Sequence, residues 1–136
     1  MTTDVGHTVT RYDQELDRLR GMVARMGGLV ERQTAQAIAA VVDQNEDAAL
    51  EPPELDAEVD VLEREAESLA IRILALRAPM AVDLRQIIAV LKITGDLERI
   101  GDYASSIARR ALKVEPLDGA LSFSALRSMA RLVQEN

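Results

Sequence analysis

The sequence predicts an all-α protein, an antiparallel three-helix bundle with a partial fourth helix, and three observations carry that prediction. Apolar residues recur in steps of three and four along three long stretches, which is the spacing of one helix face. Hydrophobic residues make up 48% of the 136-residue chain but aromatics only 2%, so the core is built from Leu, Ile, Val, Ala and Met, a mix that favours helices over strands. Prolines and polar clusters fall between the stretches rather than throughout them.

Residues 1–9 read as a flexible N-terminus. It holds His7, the single histidine, expected to lie in solvent rather than to act as a ligand. From Tyr12 the stripe Leu16, Leu19, Val23, Met26, Val30, Gln33, Ala37 and Ala40 defines a first helix over about residues 10–44. At ~1.5 Å per residue it is ~50 Å long and needs partners of similar length. Gly27-Gly28 inside it predicts close packing or a slight bend, at ~1 kcal/mol per glycine relative to alanine. The polar run Asp43-Gln-Asn-Glu-Asp47 and Pro52-Pro53 end this helix, since proline is excluded from a helix interior, and Pro53 opens the second. There Leu55, Val59, Leu62, Ala66, Leu69, Ile73 and Leu76 step by four and three until Pro79.

The third helix, about Met80 to Lys113, has two apolar stripes. Ile93, Leu97, Ile100, Ala104, Ile107 and Ala111 share one face, and Leu84, Ile87, Ile88 and Leu91 lie on the opposite side, which predicts a helix covered on two sides. Short links make the neighbours antiparallel, so residues 10–113 form an up-down-up bundle. Residues 114–136 comprise a linker with Pro116 and Gly119, then the start of a fourth helix, Leu121 to Val133, with no partner inside the chain.

Composition narrows function. A net charge of −7 argues against a nucleic-acid surface, which needs clustered Lys and Arg. Absence of cysteine removes disulfides, thiolate metal sites and cysteine nucleophiles, and fits a reducing compartment. The first residues have neither a basic nor an apolar signal region, and the longest apolar run, Ala37 to Val42, cannot span a bilayer; the reading is a chain without membrane insertion. Glycine-rich phosphate loops, Cys/His zinc spacings, Glu-x-x-His pairs and triad arrangements are missing from the sequence.

The acid is concentrated. Between Glu54 and Glu67 seven carboxylates face one base, Arg64. Glu98 and Asp102 are one turn apart on the third helix, and Asp56 and Asp60 have the same relation on the second. An antiparallel turn centred near Pro79 puts Asp60 level with Glu98 and Asp56 level with Asp102, a four-carboxylate patch with a register uncertainty of about two residues. Without nearby Lys or Arg such a patch repels itself, and a bound cation is the usual compensation. Oxygen ligands suit hard ions such as Mg, Ca or Mn, and iron is also compatible. A solvated acidic face fits the same spacing.

Two runs add weight: Arg77-Ala-Pro-Met-Ala-Val-Asp-Leu-Arg85 and Asp96-Leu-Glu-Arg-Ile-Gly-Asp102. With Glu15-Leu-Asp-Arg-Leu, Met26-Gly-Gly-Leu-Val-Glu31 and Asp56-Ala-Glu-Val-Asp60 in the same order, residues 10–113 resemble the PhoU family of phosphate-signalling regulators. The resemblance implies two tandem three-helix bundles, of which this chain holds one and the start of an incomplete second repeat. It implies an acidic Glu/Asp-x-x-x-Asp motif that binds metal, matched by Glu98 and Asp102, with Asp56 and Asp60 as the acidic positions of the second helix. The ion it implies is multivalent: iron, Zn, Mn or Mg. Asp83 and Arg85 match the family's Asp-Leu-Arg and are assigned to positioning the turn. The resemblance further implies a cytoplasmic, non-enzymatic regulator of phosphate uptake and starvation signalling that links a phosphate ABC transporter to a sensor histidine kinase. A purely structural helical module is the alternative; a carboxylate-bridged metal enzyme is disfavoured because no His, Lys or Cys stands near the acids. The fourth helix and the second apolar face of the third predict a homo-oligomer.

Overall fold

A computed structural model describes residues 2–113, 128, 129 and 131–134, with side chains from Thr10 onward. Three long helices, α1 (Thr2–Val42), α2 (Glu46–Arg77) and α3 (Ala81–Ala111), all pack on one another. Among the described residues there is no strand. The pairings Glu15 with Arg77 and Arg32 with Glu51 run α1 and α2 antiparallel. Tyr12 with Asp83 and Gln33 with Ser105 run α1 and α3 parallel, so the bundle is up-down-up.

The α1 stripe is buried at Leu16, Leu19, Met26, Val30, Gln33, Ala37 and Ala40 as its spacing predicts, while Val23 is half-buried and Met22 beside it is buried. The helix starts at Thr2, earlier than the periodicity indicates; the His7 side chain lies outside the described residues. Gly27 and Gly28 do not mark close packing within this chain, since a Cβ at either meets nothing within 4 Å.

The expectation that Pro52-Pro53 lies outside a helix interior is wrong. Both prolines sit inside α2, which starts at Glu46 behind the Asn45 cap, whose side chain accepts from the Ala48 N–H at 3.2 Å. Lacking N–H groups, they leave the Ala48 and Ala49 carbonyls without the usual helical donors. The helix tolerates this in its second turn because Asn45 anchors its start, Glu46 and Asp47 complement its dipole, and tertiary packing buries Ala48, Ala49 and Pro52. Farther along, Val59, Leu62, Ala66, Leu69 and Ile73 are buried as expected, while Leu76, at the helix end, is exposed. Ala78 then ends α2 in the left-handed region at φ 43°, ahead of Pro79.

The core has two parts. Leu, Met, Val and Ile side chains fill the half nearer the α2–α3 turn, where Ile87 is the large residue that α3 buries. The other half is alanine: Ala37, Ala40, Ala48, Ala49, Ala104 and Ala108. Within this chain α3 is not covered on two sides, which corrects the sequence expectation. It turns Ile87, Thr94, Gly101, Ala104, Ser105 and Ala108 inward, with Leu97 partly buried, whereas Ile93, Ile100 and Ile107 of the predicted first stripe are each more than 40% exposed. Small residues on the inward face let α3 approach α1 closely, and the isoleucine ridge stays outside. Residues 128, 129 and 131–134 are helical, with Met129 and Val133 exposed; Leu121 and Leu126 of the anticipated fourth helix lie outside the described residues.

Candidate functional site

The facing acids of α2 and α3 meet where the antiparallel register brings them level. Asp60, Glu63 and Glu98 each offer a carboxylate oxygen, and these oxygens lie within 4.8 Å of one another, all half-buried. Cation–oxygen bonds of ~2.0–2.6 Å span that separation, so the donor set fits a hard divalent ion. Asp60 and Glu63 stand one turn apart on α2, and Glu98 projects from α3. The sequence pattern brought Asp60 and Glu98 together; it passed over Glu63, whose i+3 relation to Asp60 was the available signal.

Asp102 flanks this group and is exposed. Desolvation raises its pKa, as do Asp56 and Asp60, while Arg109 opposes the shift. Glu63 is likewise held above the ordinary carboxylate value, first by burial and then by Asp60, Glu67 and Asp102, against Arg64. The like-charge repulsion among these acids is the part of the shift that positive charge nearby relieves.

Asp56 is engaged differently. Its Oδ1 accepts from Gln33 Nε2 at 2.7 Å and from Ser105 Oγ at 2.8 Å, and its Oδ2 lies 3.7 Å from Arg109 Nη2. The patch therefore does not lack a neighbouring base, as the sequence suggested: Arg109, two turns beyond Asp102, reaches across to α2. Gln33, fully buried, also donates to the Pro52 carbonyl at 2.8 Å, and so ties α1, α2 and α3 together at one point. Its position in an apolar stripe gave no warning of this. Gly101 makes the node fit, because a Cβ there would come within 2.6 Å of Gln33 Oε1.

At the far end, Tyr12 donates its hydroxyl to Asp83 Oδ2 at 2.9 Å, and Arg77 pairs with Glu15 at 3.0 Å with both side chains largely buried. These contacts pin the α2–α3 turn to α1, which sets the register that aligns the acids.

A family model described as PhoU domain matches residues 23–111, a span that contains all five acids. The chain is 41% identical over 133 residues to the phosphate-specific transport system accessory protein PhoU homolog of Zymomonas mobilis, covering 98% of this chain and 56% of that protein. It is 43% identical over 129 residues to the homolog of Caulobacter vibrioides, again across 56% of it. The crystal structure of PhoU from Pseudomonas aeruginosa superposes with a TM-score of 0.83 at 38% identity, over 91% of this chain and 62% of that one. The chain thus spans little more than half the length of the curated relatives it matches.

Proposed function

This chain belongs to the PhoU domain family, and from that premise we propose that it acts as a helical regulator of phosphate uptake and phosphate-starvation signalling. The observation that carries the reading is the coincidence of the family match with the carboxylate group of α2 and α3. In this reading the bundle binds a divalent cation through Asp60, Glu63 and Glu98, with Asp102 and the Arg109-paired oxygen of Asp56 at its edge. The oxygen-only donors favour Mg or Mn, and iron also fits; zinc prefers nitrogen and sulfur. The ion here is structural and electrostatic: it neutralises the patch and fixes α2 against α3. No turnover is assigned to it.

The partners in this reading are components of a phosphate ABC transporter, which the names of this chain's relatives support, and a sensor histidine kinase, which rests on the family resemblance alone, both met in the cytoplasm. No described helix is long and apolar enough to cross a membrane. The exposed ridge of Ile93, Ile100 and Ile107 offers the surface for self-association, which light scattering over a micromolar concentration series tests. The functional test is binding of the purified chain to the nucleotide-binding subunit of a phosphate transporter, with and without chelator. The proposal expects binding that weakens in chelator; no binding in either condition would overturn it. Equal binding in both would favour the metal-independent interaction module.

A further inference from the structure

The geometry points to Arg109 as a built-in counter-ion that opposes cation binding at the neighbouring carboxylates, an inference that rests on the cation reading above. Asp56 has one oxygen committed to the core by Gln33 and Ser105, so its carboxylate is held in a fixed orientation with Oδ2 toward Arg109. The Arg109 side chain is itself 58% exposed where it reaches across from α3 to Asp56. Asp56 stands one turn from Asp60 on α2, so the acids and Arg109 form one charge cluster in which the guanidinium already neutralises one unit. At low ionic strength, where charges interact over ~30 Å, a divalent cation entering beside Asp60, Glu63 and Glu98 is repelled by that positive charge. Occupation favours movement of the exposed Arg109 side chain into solvent, which frees Asp56 Oδ2. Arg109 thus lowers affinity and keeps the apo patch from destabilising the helix pair.

Mn2+ alone is the probe, titrated calorimetrically into the full chain at low ionic strength. Arg109→Met, which keeps the length of the stem and removes the charge, is expected to bind about three- to tenfold more tightly than the wild type. Arg109→Lys retains the charge and is expected to restore wild-type affinity, which a loss of packing alone would not produce. Mn2+ uptake by the wild type with Arg109→Met no tighter overturns the counter-ion role and leaves the cation reading standing. Absence of uptake by the wild type and both variants overturns both.

Discussion

Replacing Gly101 by alanine should destabilise the bundle, although alanine is the better helix former. In an open helix interior the exchange gains about 0.8–1.0 kcal/mol. At Gly101 the new Cβ falls 2.6 Å from Gln33 Oε1 and 3.4 Å from its Cδ, with Val30 Cγ2 at 3.6 Å. A free glutamine would swing away at little cost. Gln33 is held by its Nε2 bonds to Pro52 and Asp56, and the residue is fully buried. Moving it breaks those two bonds at about 1 kcal/mol each and leaves the Pro52 carbonyl without its side-chain donor, for a total near 2–3 kcal/mol. After the helix gain, Gly101→Ala is expected to lose about 1–2 kcal/mol, or roughly 4–7 °C in Tm. Gly27→Ala and Gly28→Ala, where an added Cβ meets nothing, should instead gain about 0.5–1 kcal/mol each. Urea and thermal unfolding followed by circular dichroism measure all three. A neutral or stabilising Gly101→Ala would refute the claim that Gln33 is pinned against α3.

Other expectations follow from the same contacts. Arg77→Met leaves the largely buried Glu15 carboxylate unpaired and should cost about 1–3 kcal/mol by urea denaturation, with Glu15→Leu in the same chain recovering part of the loss. Burial and the Asp83 bond push the Tyr12 phenol up to about 12 from 10.0, so its contribution to stability is present below pH 10 and is lost as pH rises through 12. In a Tyr103→Phe background, phenolate absorbance should titrate near that raised value and fall back toward 10 when Asp83→Asn is added. Glu63 holds its proton more tightly folded than unfolded, so its carboxyl favours the fold at acid pH and opposes it once ionised. Glu63→Gln should therefore melt higher than wild type at neutral pH in chelator, with the gap closing as pH falls into the carboxylate range; a gap that widens on acidification would contradict the sign.

Periodicity revealed the fold because helix stripes are local. Leu16 through Ala40 and Val59 through Ile73 bury as their spacing dictates, and antiparallel register then aligned Asp60 with Glu98. What escaped depends on three-dimensional packing. Ile93, Ile100 and Ile107 form as good a stripe on paper as the buried one, and only the close approach allowed by Gly101, Ser105 and Ala108 decides which face turns inward. Pro52 and Pro53 read as breakers because propensity does not see the Asn45 cap or the alanine packing that compensates them. Gln33 reads as one more position of the α1 stripe and is also the point where three helices meet. Arg109 lies seven residues from Asp102 along the chain, and its pairing with Asp56 follows from helix apposition rather than from any motif.

Mn2+ titration of the wild type against the triple variant Asp60→Asn, Glu63→Gln, Glu98→Gln decides whether the carboxylates of α2 and α3 hold a divalent cation. Saturable uptake is expected of the wild type, and the triple variant is expected to lose it while remaining helical. Equal uptake by both proteins would contradict the assignment.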